Sequence, residues 1–384
     1  MPQFKFNTIS RTDIESSLGG AQMLRAIDYD GPYNLVITGC PGSGKTTVSL
    51  MRAERLINSN KKVLLITFQH LLQSSLINIA TPQLAPNIVK FYKWFYRKFR
   101  FLEFSEDETV MLELMKDWPG VDEIIIDEGQ DFEARIYRSL LPKCKKMTVG
   151  ADNAQRVHKR GLKANEIVDE VKKKNNVLPI GLQYNYRNTY EVYNFARFFL
   201  PYNERANNAL AIDRIPKGKG AQPTVFLTPD HNTRLAQLKI LLTDAGDRNI
   251  AVLVFAKEDV RLHANYIKEM GIKCSINDSD DHVGTVIENV LVTTFKSAKG
   301  LEFQVVIMPK METARSGRYD TEEHYYIACT RAKENLFLIV QSHNLPYCFK
   351  EFDSASYKLT KVTPASAPPS KKIISVEPMD DLPF

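Results

Sequence analysis

The stretch VDEIIIDEGQDF (121–132) ends an apolar run with Asp127 and Glu128 side by side, then Gln130 and Asp131. Adjacent carboxylates repel, and burying them costs several kcal/mol unless a cation or a set of donors faces them. A second stretch, GCPGSGKTT (39–47), has the register G-x-x-x-x-G-K-[ST], with Gly39, Gly44, Lys45 and Thr46 in place. Glycines at such spacing let the chain curl until backbone N–H groups and a helix N-terminus face phosphate oxygens. Lys45 then neutralises β- and γ-phosphate charge, and the Thr46 hydroxyl ligates Mg²⁺. The nucleotide-binding set read here is Gly39, Gly42, Ser43, Gly44, Lys45, Thr46 and Thr47. A nucleotide with its metal makes the carboxylate doublet tolerable. Asp127 is expected to hold Mg²⁺ with Thr46, and Glu128 to orient and deprotonate an attacking water.

These residues need strands to carry them. Apolar runs at 33–39, 61–68, 121–128 and 144–152 read as one set of strands. PTVFLTP, NIAVLVFA, NVLVTTF, FQVVIMP and NLFLIVQ read as a second. Helical patterns such as TTVSLMRAERLINSN and RLAQLKILLTDAG lie between them, and this alternation predicts parallel sheets covered by helices. The expected architecture is α/β. Residues 1–178 form a first domain with the phosphate loop, 179–345 a second, and 346–384 an extension. From about Lys361 proline, serine and alanine dominate, as in a flexible tail.

DEGQD resembles the D-E-x-Q-D motif of superfamily 1 helicases of the UvrD/Rep/PcrA group, and further motifs follow in that family's order. LLITFQHLL (64–72) resembles the motif after the second strand, implying DNA contacts at Thr67 and Phe68. VGADNAQR (149–156) is similar to V-G-D-x-x-Q and implies Gln155 as a γ-phosphate sensor. LQYNYRN (182–188) resembles L-x-x-N-Y-R-S, with Tyr186 on adenine and Arg187 reaching the γ-phosphate. VTTFKSAKGLEFQVVI (292–307) resembles T-x-H-x-x-K-G-L-E-F, putting Gly300 and Glu302 near the nucleotide. YYIACTRAKENL (325–336) resembles Y-V-A-x-T-R-A-K, making Arg331 a second arginine finger. Gln22, in GGAQMLRAI, is the candidate adenine-reading glutamine. The resemblance spans roughly residues 15 to 345. It implies two RecA-like domains with ATP in their cleft, Mg²⁺ as cofactor and single-stranded DNA as partner, RNA being the alternative strand. Lys45, Asp127, Glu128, Gln155, Arg187 and Arg331 form its catalytic set. The function implied is that of an ATP-hydrolysing DNA helicase: translocation on DNA with 3′ to 5′ polarity, with unwinding as a further expectation. The rival reading is an ATPase that gates a partner such as a nuclease.

The sequence also departs from the family. The intervals that hold large insertions in those helicases are short here. Thr47 replaces a common arginine, Lys296 a histidine, and RVHKRG follows Gln155 without the usual aromatics. IVKFYKWFYRKFRFLEF (88–104) interleaves aromatics with cations, so Lys90, Tyr92 and Trp94 are candidates for holding a strand by stacking and phosphate contact; an amphipathic helix with a buried aromatic face explains the pattern equally well. The last residues, Asp380, Asp381, Leu382, Pro383 and Phe384, resemble the acidic tip of bacterial single-stranded DNA-binding proteins, which implies a protein partner.

Bulk properties agree with a globular chain. Of 384 residues 43% are hydrophobic and 25% charged, with a net charge of +6 that permits a polyanion partner. The 5 cysteines lack CxxC spacing, so neither a disulfide framework nor a zinc site is expected. No apolar leader or span is visible at the start or elsewhere, and a cytoplasmic location is expected.

Overall fold

The structure, a computed structural model, describes residues 3–6, 8–100, 108–155, 160–277, 287–312 and 321–364, without the side chains of 321 and 322. Two parallel sheets flanked by helices make up the fold, as the alternating pattern predicts. The first contains β1 (Asn34–Gly39), β2 (Val63–Thr67), β3 (Ile88–Lys90), β4 (Val121–Ile126), β5 (Cys144–Ala151) and β6 (Val177–Leu182), in the order β3-β2-β4-β5-β1-β6. The second contains β7 (Thr224–Thr228), β8 (Ile250–Val254), β9 (Ser275–Asn277), β10 (Val290–Thr294), β11 (Phe303–Met308), β12 (Ala332–Gln341) and β13 (Lys358–Lys361), in the order β13-β7-β12-β11-β8-β10-β9. Central strands such as VLLIT and IAVLV are buried at every position. Parallel strands covered on both faces need continuous apolar runs.

Strand order positions the site. In the run β4-β5-β1, neighbouring strands end at Asp127, at Asp152 and at the phosphate loop. Ligands of open parallel sheets collect at such carboxyl ends. The helix Lys45–Asn58 carries the loop away from β1 and is tied down by Arg52, which is fully buried. Its guanidinium forks onto Glu123 of β4 at 2.6 and 2.9 Å and donates to the carbonyls of Ala26, Ile27 and Tyr29.

The strand Val177–Leu182 pairs with β1 along its length, so the joint expected at 178/179 falls inside a strand of the first sheet. The crossing to the second sheet follows it, at residues 183–189. The helix Tyr190–Ala196 already packs in the second core through Val192 and Phe195. Lys358–Lys361 pairs with β7, which brings part of the expected extension into the second sheet. The first residues join both halves: Gln3 bridges Glu288 and Lys5 pairs with the Asn249 amide, while Ile14 sits in the first core. Among the described residues no helix is long and apolar enough to cross a membrane. The terminal Asp380–Phe384 candidates lie outside the described residues.

Candidate nucleotide site between the two sheets

The phosphate loop takes the conformation its glycines permit. Gly42 and Gly44 have φ of 75° and 92°. A Cβ on Gly42 would lie 2.5 Å from Arg187 Cβ, so glycine is needed both for the left-handed turn and for close approach of the chain crossing between the sheets. Lys45 is buried, and its ammonium donates to the carbonyls of Gly39 at 2.7 Å and Cys40 at 2.9 Å, with Asp152 at 3.5 Å. In this arrangement Lys45 closes its own loop. An incoming phosphate would exchange those contacts for its oxygens.

Asp127 and Glu128 are both buried at the end of β4. Thr46 donates its hydroxyl to Asp127 at 2.7 Å. Burial and the adjacent Glu128 push the Asp127 carboxyl up to about 7. For Glu128 burial also opposes charge, but Lys299, Lys45 and Arg331 outweigh it and hold the carboxyl at about 2. Glu128 has φ of 57°, which a non-glycine residue adopts at a cost and which occurs at functional sites. Gln130 donates to Glu128 at 2.6 Å and accepts from the Asp152 amide at 3.0 Å, fixing the turn after the doublet.

Gln155 joins the two halves. Its side-chain amide donates to Asp152 at 2.6 Å, and its oxygen accepts from Arg331 at 2.5 Å. Arg331 is buried behind it and anchored on the Ile327 carbonyl. Arg187 donates to Glu302 at 3.1 Å, and Lys333 pairs with the other Glu302 oxygen at 3.0 Å. Burial works against the Glu302 charge, but these two cations keep its carboxyl down at about 2. Arg187 itself lies on the crossing segment, where the Asn185 side chain accepts its backbone N–H at 3.0 Å. Tyr186 hydrogen-bonds Gly42 through the backbone, stacks with Tyr184, and donates its hydroxyl to Leu18.

A cavity of about 500 Å³ lies between the sheets. From the first half come Gly42, Ser43, Gly44, Lys45, Thr46, Thr47, Glu128 and Gln155, joined by Tyr186 and Arg187 from the crossing segment. Gly300, Glu302 and Lys333 come from the second. Gly39, Asp127 and Arg331 stand behind that lining. Gln22 does not line the cavity; its neighbour Met23 does, and lies beside Gly44. Two residues the sequence reading passed over belong to the network: Asp152, which holds Gln155 and faces Lys45, and Lys299. Both sit inside quoted motifs, but only burial marks them out.

The nucleic-acid candidates fare differently. Thr67 is fully buried with its hydroxyl unpartnered among the described residues, and Phe68 packs edge-on against Tyr92 and Phe132. Lys90 ends β3 and stands at the N-cap position of the helix Phe91–Phe99, so the stretch 88–104 begins as strand and continues as helix. Trp94 packs against Trp118 and Phe99 at 5.2 and 5.7 Å, and Phe91 and Phe95 are fully buried. Most of this aromatic face is therefore core. Tyr96, 48% exposed, keeps a ring open to solvent beside the basic residues.

Parts of the chain are similar to known proteins. Residues 275–343 match the model of the UvrD-like helicase C-terminal domain, a span that includes Lys299, Gly300, Glu302, Arg331 and Lys333. The RecBCD enzyme subunit RecB of Chlamydia pneumoniae is 36% identical over 58 residues, which cover 15% of this chain and 6% of that protein. The crystal structure of the C-terminal domain of a possible DNA helicase from Lactobacillus plantarum aligns at 21% identity with a TM-score of 0.35, covering 45% of this chain and 98% of that one. The matched segment of the second half, residues 275–343, is similar to the UvrD-like helicase C-terminal domain.

Among the described residues no group of three or more His, Cys, Asp or Glu could hold a metal. The Thr46 hydroxyl and Asp127 carboxylate nevertheless converge, and hard oxygen donors suit Mg²⁺ that shares its shell with phosphates. If Asp127 takes that role, it must lose its proton for the cation to bind, so acid competes with metal below the carboxyl's pKa of about 7. Magnesium-dependent nucleotide binding is then expected to weaken by up to about tenfold per pH unit below 7. A fluorescent ATP analogue titrated from pH 5.5 to 8 measures this; equal affinity at both ends contradicts it.

Proposed function

We propose that the chain is an ATP-hydrolysing motor of the superfamily 1 helicase type, stimulated by single-stranded DNA and moving along it 3′ to 5′. The observation that carries this reading is the shared cavity, where Lys45, Thr46, Glu128 and Gln155 meet Gly300, Glu302 and Lys333 across the gap between the sheets. Lys45 and the loop N–H groups take the phosphates. Mg²⁺, held by Thr46 and Asp127, would neutralise phosphate charge. Glu128 orients and deprotonates the attacking water, and Gln155 reports the γ-phosphate. Arg187 and Arg331 supply positive charge from the crossing segment and the second half as charge develops on the leaving group. Hydrolysis removes the phosphate that these groups share, and the halves can then separate.

A second reading, an ATPase that gates a partner such as a nuclease subunit without moving processively, draws on two observations. The aromatic face proposed for stacking is largely packed into the core. The matched relative is named as a subunit of a larger enzyme. Displacement of streptavidin from biotinylated single strands separates the two. The motor reading expects ATP-dependent displacement from the 5′ end, as 3′ to 5′ movement requires. ATP turnover without displacement from either end favours the gate.

A further inference from the structure

The mechanism above leaves one buried charge without a task. Lys299 stands on the loop from β10 to β11, in the second half of the chain, and its side chain is 0% exposed. Its ammonium donates to Asp131 at 2.6 Å and to the Gln155 carbonyl at 2.7 Å, and lies 3.4 Å from Glu128. All three partners belong to the first half. Desolvating an ammonium is expensive, and such a residue persists only where its geometry is closely satisfied. Gln155 is consequently gripped twice from the second half, at its backbone carbonyl by Lys299 and at its side chain by Arg331. Lys299 does not line the cavity, whereas its neighbour Gly300 does.

We propose that Lys299 is a positioning residue that locks Gln155 and the Glu128–Asp131 turn in register with Arg331, so that hydrolysis depends on it while nucleotide binding does not. The inference rests on the ATPase reading. It gives the second half a means of controlling chemistry at the first: when the halves part, the sensor and the acidic turn lose their common anchor.

Two variants test it, each assayed for urea midpoint, affinity for a fluorescent ATP analogue, and kcat and KM for ATP. Lys299→Met takes from buried Asp131 its ion pair at 2.6 Å and is expected to lower both stability and kcat. Lys299→Met combined with Asp131→Leu removes both charges at similar volume and is expected to recover the urea midpoint. Its kcat should stay about a hundredfold down, the usual effect of a small misplacement, with nucleotide affinity changed by less than about threefold. Lys299→Arg, which keeps the charge, should regain part of the lost kcat. Return of kcat together with the midpoint in the double variant would reduce Lys299 to a structural pair and overturn the proposal, as would a loss confined to KM. A parent protein that turns over no ATP would instead overturn the ATPase reading beneath it.

Discussion

A Glu128→Gln variant is expected to hydrolyse ATP about 10²- to 10⁴-fold more slowly than the parent while binding nucleotide about as well. The change keeps the shape of the side chain and an oxygen that can accept from Gln130. Lys299 retains Asp131 as counter-ion at 2.6 Å, so the substitution leaves no buried cation alone. What disappears is the carboxylate. Against the cost of burial, Lys299, Lys45 and Arg331 hold that carboxyl well below the usual carboxylate range. Steady-state turnover and analogue binding measure the two quantities separately. Turnover within about threefold of the parent would remove Glu128 from the mechanism.

The largest stability effect is expected at Arg52. An Arg52→Met variant leaves Glu123 buried and unpaired except for the Thr148 hydroxyl, and takes a donor from the carbonyls of Ala26 and Tyr29, while Ile27 keeps Arg55. Breaking a buried pair from one side costs about 3–5 kcal/mol, far more than the intact pair contributes over apolar replacements. The urea midpoint should fall accordingly, with the slope nearly unchanged. Arg52→Met with Glu123→Leu should recover much of the loss. The pair fastens the helix behind the phosphate loop to the strand that ends in Asp127, so the single variant should also bind nucleotide more weakly. A single variant destabilised by less than about 1 kcal/mol would show that the pair is dispensable.

The sequence was most legible where physical constraints are local. The phosphate loop shows its glycine register, and long apolar runs such as VLLIT and IAVLV announce buried parallel strands. Legibility failed where tertiary context decides. Ile88–Lys90 has only three residues and precedes an aromatic run that reads as helix. Val177–Leu182 contains Pro179, which argues against a strand except at a sheet edge, and β6 is an edge. Lys358–Lys361 is polar and short, unlike a core strand. In the site, the motif residues were nameable one by one, but their partners were not. Nothing in the letter K at 299 tells that the side chain is fully buried against Asp131. Nor does WFYRKF distinguish rings that stack on each other from rings free to stack on a base.

Steady-state ATP hydrolysis, measured with and without single-stranded DNA or RNA and beside the Glu128→Gln control, tests the central claim most directly. The account predicts turnover stimulated about tenfold or more by single-stranded DNA and lost in the variant. Substantial Glu128-dependent turnover indifferent to either nucleic acid would contradict the motor and leave the gating ATPase.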